Sequence, residues 1–73
     1  MEIEKVKELF REHFNEIEWE RYDFVDPPYV WNVSGWMEVD GYSFDVDGDE
    51  IVNEGYEARE VICMCPNGEV IKF

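Results

Sequence analysis

Residues 36–46, WMEVDGYSFDV, determine the fold because they contain the clearest hairpin signal in the chain. Apolar and polar residues alternate on both sides of Asp40-Gly41, a dipeptide that favours a two-residue turn between antiparallel strands. Such a turn pairs Val39 with Tyr42, and the apolar positions change from odd to even numbers across it, as this register requires. We therefore predict a β-hairpin whose two strands share one apolar face.

A second Asp-Gly pair, Asp47-Gly48, follows in the chain and predicts a second turn of the same kind. That turn would pair Val46 with Asp49 and would leave only a short third strand near residues 50–53. The sequence NEG at residues 53–55 then predicts a turn into a fourth strand.

The C-terminal sequence YEAREVICMCPNGEVIKF predicts a further hairpin with its turn in PNG. A two-residue turn at Asn67-Gly68 pairs Met64 with Ile71, whereas a type I turn at Pro66-Asn67 shifts the pairing by one residue. Both registers are compatible with the sequence.

The N-terminal segment has the apolar spacing of an amphipathic helix. Its stripe consists of positions three or four residues apart: Ile3, Val6, Leu9, Phe10, His13, Phe14 and Ile17. We predict a helix over about residues 2–18 that stops before Asp26-Pro27-Pro28, because proline cannot continue a helix. The intervening EWERYDFVD fits either a last helical turn or a first strand.

Together these elements predict one domain of the α+β class, as suits a chain of 73 residues. In it the N-terminal amphipathic helix packs on one face of a four- to five-stranded antiparallel β-meander over about residues 29–73. Aromatic residues make up 16% of the chain, so a core large enough to fold without a metal or a disulfide is expected.

The charge distribution limits the classes of partner. The chain has 19 acidic and 6 basic residues, a formal net charge of −13, and Arg59 is the only Lys or Arg in residues 27–60. Binding to nucleic acid or to anionic membranes calls for Lys and Arg, so direct binding to either is not expected. No apolar run reaches the roughly 18 residues of a membrane span, and the charged segment MEIEKVKELF is unlike a signal peptide. We expect a soluble, cytoplasmic protein.

One incomplete motif concerns calcium. Asp45, Asp47 and Asp49 have the spacing of the first three ligands of a calcium-binding loop. However, Glu50 occupies the position where such a loop needs glycine, and Tyr56 occupies that of the closing glutamate. We expect the three aspartates to belong to a hairpin rather than to a metal site.

Zinc binding and catalysis also lack complete motifs. Cys63 and Cys65 could supply two zinc ligands, but a closed site needs four and only His13 remains. We expect both cysteines to be reduced residues of a strand. The sequence has neither the spacing of a nucleophile and its base nor a glycine-rich phosphate loop. We therefore expect a protein that is not an enzyme and has no cofactor, with a small metal-dependent module or enzyme as an alternative.

The acidic surface around residues 38–50 is the predicted partner-binding site. The predicted register places Glu38, Asp45 and Glu50 on the face opposite the core, and it places Asp40, Asp47 and Asp49 at turns. Carboxylates on one face of a strand recur every ~6.6 Å, comparable with the few-ångström spacing of DNA phosphates. Trp36 would add an apolar contact, since Trp is enriched in binding hot spots. The predicted site residues are Trp36, Glu38, Asp40, Asp45, Asp47, Asp49 and Glu50.

In size and charge the chain resembles the phage-encoded nucleic-acid mimics, namely anti-restriction, anti-CRISPR and uracil-DNA glycosylase inhibitor proteins. The ending VICMCPNGEVIKF is similar to the final hairpin of a glycosylase inhibitor. The resemblance implies a viral DNA mimic that acts in the host cytoplasm as an inhibitor of a basic, nucleic-acid-handling protein. An immunity or antitoxin protein bound to a basic toxin, and a homo-oligomer paired through exposed aromatic residues, are further alternatives.

Overall fold

A computed structural model describes residues 2–25 and 29–73. Helix α1 (Glu2–Glu12) and a 3-10 turn (Phe14–Glu16) precede five strands: β1 (Glu18–Val25), β2 (Val30–Val39), β3 (Tyr42–Ile51), β4 (Gly55–Met64) and β5 (Val70–Lys72). The strands form one antiparallel sheet in chain order, so β3 is the central strand. The predicted α+β fold, with one helix on one face of an antiparallel meander, is confirmed.

The helix is shorter than predicted: it ends at Glu12 rather than near residue 18. After the 3-10 turn, Ile17 adopts an extended backbone and inserts its side chain into the core. Residues 18–25 of the ambiguous segment after it form β1, which pairs with β2 on both sides of an irregularity at Tyr22. The sheet therefore begins at Glu18 rather than at residue 29. The predicted proline stop, Asp26-Pro27-Pro28, lies outside the described residues.

The first hairpin has the predicted register. Val39 lies opposite Tyr42, and Met37 lies opposite Phe44. Asp40 and Gly41 have φ angles of 50° and 85°, and a type I′ turn needs positive φ at both positions.

The predicted second turn at Asp47-Gly48 is wrong, because β3 runs through this dipeptide to Ile51. Gly48 lies at a bulge, where the pairing of β3 with β4 shifts and Arg59 is the extra residue. A Cβ at Gly48 would lie 2.2 Å from the main-chain oxygen of Glu57, so glycine is needed here for a close backbone approach rather than for a turn.

The chain instead turns after Ile51. The backbone N–H of Glu54 donates to the carbonyl of Ile51 at 2.9 Å, and Asn53 has a φ of 68°. Val46 therefore pairs with Val61 and not, as predicted, with Asp49. The short third strand predicted near residues 50–53 does not form.

We expect Gly48→Ala to lower the free energy of unfolding by ~2 kcal/mol, because the added methyl group meets main-chain atoms that cannot move without breaking the ladder. Urea unfolding followed by circular dichroism measures this loss. Ser43→Ala on the same strand is the control and should change stability by less than about 0.5 kcal/mol. Equal stability of the two variants would contradict the close contact at the bulge.

The last hairpin uses the second of the two registers. The N–H of Gly68 donates to the carbonyl of Cys65 at 2.9 Å, which closes a turn over Pro66-Asn67. Gly68 has a φ of 88°, and Met64 accordingly pairs with Val70 rather than with Ile71.

The core lies on the face of the sheet that packs against α1, here called the core face. The fully buried ring of Phe44 lies 5.7 Å, between centroids, from that of Phe10 on the helix. The other members of this buried cluster come from the helix, the segment after it and the sheet: Val6, Ile17, Met37, Val39, Tyr42, Val46, Val61, Cys63, Cys65 and Ile71. The opposite side of the sheet, here called the open face, carries no helix among residues 2–25 and 29–73. Within the described ranges, no helix has the length and apolar character needed to cross a membrane.

Candidate functional site: an acidic groove on the open face

The open face is polar because the strands alternate strictly. Along β2, Val33, Gly35 and Met37 are buried on the core face, whereas Ser34 and Trp36 are exposed on the open face. The same alternation in β3 buries even-numbered residues up to Gly48 and exposes the odd-numbered Asp45 and Asp47. The acids of "FDVDGD" thus project from the central strand, away from α1.

These side chains line a groove of about 460 Å³ across four strands. We call this surface the acidic groove, and its lining residues on the open face are Glu18, Glu20, Ser34, Trp36, Asp45, Asp47, Glu60 and Ile62. Five of these eight side chains are carboxylates. Twisted sheets are concave along one diagonal, which gives the groove its shape.

Strand pairing arranges the groove in two rows. In the first row, Trp36 lies between Glu18 on β1 and Asp45 on β3. In the second row, Asp47 lies opposite Glu60 on β4. Neighbouring strands are ~4.8 Å apart and the two rows ~6.6 Å apart, so the carboxylates are close enough to repel one another.

Only Asp47, among the five groove carboxylates, forms a salt bridge with another described residue. Its Oδ2 accepts a bond from Nη2 of Arg59 at 3.0 Å, and its Oδ1 accepts one from the hydroxyl of Tyr22 at 2.7 Å. The bond to Asp47 raises the pKa of Tyr22 above its ordinary value. The remaining four, Glu18, Glu20, Asp45 and Glu60, make neither a salt bridge nor a side-chain hydrogen bond within the described part of the chain.

Arg59 closes one end of the groove as an internal counter-ion. As the extra residue of the β4 bulge, it reaches Asp47 and, at 3.2 Å, Asp49, and it also donates to the carbonyl of Gly48 at 3.2 Å. Desolvation lowers the pKa of Arg59, but the charges of Asp47 and Asp49 outweigh this effect and raise the pKa above its ordinary value. Arg59 therefore offsets one of the two negative charges of Asp47 and Asp49 at this end of the open face.

The structure brings together part of the predicted site. Trp36, Asp45 and Asp47 line the groove, Glu38 is exposed one row beyond Trp36 on the same face, and Asp40 lies in the first turn. Neither Asp47 nor Asp49 lies at a turn as predicted, because both belong to the continuous strand β3.

Glu50 was predicted on the open face, and this placement is wrong. As an even-numbered residue of the uninterrupted β3 it lies on the core face, beyond the end covered by α1. There it accepts two bonds from Arg21, from Nε at 2.6 Å and from Nη2 at 2.9 Å. The guanidinium of Arg21 also lies 5.1 Å from the centre of the Trp31 ring.

The Arg21–Glu50 pair predicts a pH effect. The bond from Arg21 holds the pKa of Glu50 below its ordinary value, so the pair stabilises the fold above pH about 4.5 and loses this contribution as pH falls through the lowered pKa. Glu50→Gln should therefore unfold at lower urea concentration than the wild type at pH 7. The difference should shrink as pH falls below about 4.5 and vanish once Glu50 is protonated in the folded protein, and a difference that stays constant as pH falls would contradict the ion pair.

Four groove residues are absent from the predicted site: Glu18, Glu20, Glu60 and Ile62. Glu18 and Glu20 were missed because β1 was not assigned as a strand, although their spacing of two is the signal for one exposed face. Glu60 and Ile62 alternate with the buried Val61, but which strand they face depends on the long-range pairing of β4.

Metal ligands are not clustered on the described residues, which contain no group of three or more His, Cys, Asp or Glu side chains able to hold an ion. Cys63 and Cys65 are free thiols in the core, and burial raises the pKa of Cys63 to about 12. His13 is half-buried, and its Nδ1 donates to Glu16.

The groove combines two binding properties. Its carboxylates accept hydrogen bonds from Lys and Arg, and its Trp36 side chain, 49% exposed, offers an aromatic surface beside them. A cationic side chain is the ligand that suits both. No protein-family model, curated protein or solved structure matches the chain.

Proposed function

We propose that this protein is a small acidic inhibitor that blocks a basic, nucleic-acid-handling protein by presenting carboxylates in place of phosphates. The observation that carries the proposal is the acidic groove, in which Glu18, Glu20, Asp45 and Glu60 have no intramolecular cation among the described residues. A partner bearing Lys and Arg would supply the missing counter-charges.

Placing like charges close together lowers the stability of the sheet. This loss of stability favours a partner-binding role for the groove over a role in solubility alone. Asp47 and Glu60 lie directly opposite each other on neighbouring strands, and like charges in such positions destabilise a sheet. Arg59 offsets only part of this cost, because Asp47 shares it with Asp49. Surfaces that only confer solubility intersperse both signs of charge. Here Arg59 is the one cation that contacts the groove acids within the described ranges, and it serves Asp47 and Asp49.

The spacing of the groove charges suits phosphate mimicry. The hydrogen-bonded sheet holds the backbone positions that carry these carboxylates about 5–7 Å apart, a few-ångström spacing comparable with that of nucleic-acid phosphates, which follow every ~3.4 Å of helix axis on each strand. A basic cleft that neutralises several phosphates would meet several carboxylates here. The net charge of −13 would also steer such a partner into contact at low salt.

Affinity capture with matched variants tests the proposal. The groove variant carries Glu18→Gln, Asp45→Asn and Glu60→Gln, residues that hold no salt bridge in the described chain, so the fold should be unaffected. The helix variant carries Glu4→Gln, Glu8→Gln and Glu12→Gln, the same change of charge on the exposed side of α1. Asp47, Asp49 and Glu50 stay intact because they bind Arg59 and Arg21.

Each protein is immobilised, exposed to lysate at low and at high salt, and the captured proteins are identified by mass spectrometry. We expect the wild type and the helix variant to capture the same basic nucleic-acid-handling protein at low salt and to release it at high salt. The groove variant should not capture it. Equal capture by all three proteins would contradict the groove as the binding surface, and a captured toxin would favour the immunity or antitoxin alternative.

A further inference from the structure

The core face binds one arginine side chain of the protein itself, that of Arg21. On the core face, Trp31 of β2 and Glu50 of β3 are direct cross-strand partners. Arg21 of β1 contacts both: its guanidinium lies 5.1 Å from the Trp31 ring centre and donates two bonds, at 2.6 and 2.9 Å, to the Glu50 carboxylate. An aromatic ring and a carboxylate opposite each other on β2 and β3 thus hold one guanidinium.

The same pair of strands repeats this combination on the open face. Trp36 of β2 and Asp45 of β3 are also direct cross-strand partners. Trp36 lies an odd number of residues beyond Trp31, so its ring projects from the other side of the sheet. Here no described cation forms a salt bridge with the carboxylate, and 49% of Trp36 is exposed.

A second carboxylate flanks Trp36. Glu18 of β1 lies opposite it on the other side, so the indole has an acid on each neighbouring strand, ~4.8 Å away in the ladder. Arg59, the cation at the end of the groove, is held by Asp47 and Asp49. Trp36 thus has a carboxylate on each neighbouring strand, and no described cation forms a salt bridge with either of them.

We propose that Trp36, Asp45 and Glu18 form a receptor for one arginine side chain of the basic partner, which stacks on the indole while its guanidinium donates to the two carboxylates. This inference rests on the proposed function and specifies the contact at its centre. Arginine suits the site better than lysine, because its planar guanidinium stacks on aromatic rings and donates in fixed directions to carboxylates. A lysine ammonium would meet the same charges without the stacked plane.

Titration with two peptides of equal length and charge, oligoarginine and oligolysine, tests the receptor. Binding is followed by NMR in three proteins: the wild type, Trp36→Leu, and Phe24→Leu, which removes an exposed ring from the core face. The probe is the Trp36 indole N–H signal in the wild type and in Phe24→Leu. We expect oligoarginine to bind the wild type and Phe24→Leu about three- to five-fold more tightly than oligolysine. In Trp36→Leu, followed through the backbone amide of Asp45, this preference should fall below about twofold, because oligoarginine binding weakens more than oligolysine binding.

The outcomes separate the two proposals. An arginine preference that is the same in Trp36→Leu and in the wild type overturns the receptor. If both peptides bind the wild type equally and the groove variant weakens both, the receptor is also overturned, whereas binding of cations by the groove stands. If neither peptide shifts the groove signals, both proposals are contradicted. An unchanged urea midpoint shows that Trp36→Leu is folded.

Discussion

The groove variant is expected to bind the captured partner at least about 30-fold more weakly than the wild type at low salt. Glu18, Asp45 and Glu60 have no internal counter-ion among the described residues, so each carboxylate is available to a partner cation. Removing one member of a charge pair that becomes buried on binding leaves the other member unpaired, which costs more than the loss of the attraction alone. Isothermal calorimetry with the purified partner measures the loss.

The helix variant is the control for this prediction. It has the same net charge as the groove variant, so both lose the same share of long-range attraction. We expect its affinity to fall by less than about threefold, with a slower association at low salt. A loss of affinity equal to that of the groove variant would show that only the total charge matters and not its position on the open face.

Phe44→Ala is expected to lower the free energy of unfolding by ~4 kcal/mol. The Phe44 side chain is fully buried on the central strand, and its contact with Phe10 joins the sheet to α1. Phe10 in turn lies 5.6 Å, between ring centres, from both Phe14 and Phe73. Removing Phe44 therefore leaves a cavity beneath a connected group of rings. For a domain of this size the loss is a large part of a total that is of the order of 4–11 kcal/mol.

Urea unfolding of Phe44→Ala, compared with Met64→Ala, tests the position of the core. Met64 is 55% exposed on the open face, so its truncation should cost less than about 0.5 kcal/mol. Similar losses in the two variants would contradict the assignment of the core to the face that packs against α1. The slope of the transition with urea should stay the same if only stability has changed.

Local signals in the sequence were sufficient for much of the fold. The alternation around Asp40-Gly41 predicted the first hairpin and its register, because turn type and side-chain parity are set by neighbouring residues. The apolar stripe of α1 likewise predicted the buried Val6 and Phe10. The end of α1 at Glu12 was not predicted. Residues 18–25 pair with β2 instead of extending the helix, and this long-range pairing cannot be read from the local sequence.

The wrong prediction of a turn at Asp47-Gly48 shows that local sequence signals do not reveal contacts with distant strands. The dipeptide is a strong turn signal, but Gly48 is needed for the close approach of β4, which lies far away in the sequence. A turn there would have reversed the parity of the following residues. The predicted placement of Glu50 on the open face followed from that false reversal.

The same limit applies to the acidic groove. Asp45 and Trp36 could be placed together because they flank the first hairpin. Glu18 and Glu60 join them only through the order of strands in the sheet, which no short stretch of sequence specifies. Composition and alternation identified exposed acidic residues, but they could not predict that these residues lie together in one groove.

Competition with nucleic acid for the captured partner tests the central claim most directly. The partner is first bound to a fluorescently labelled nucleic acid that it recognises, and this protein is then added while fluorescence anisotropy is recorded. Mimicry of phosphates predicts that the wild type displaces the nucleic acid completely and that the groove variant needs a concentration at least about 30-fold higher. A complex in which the partner holds the nucleic acid and this protein together would contradict the account.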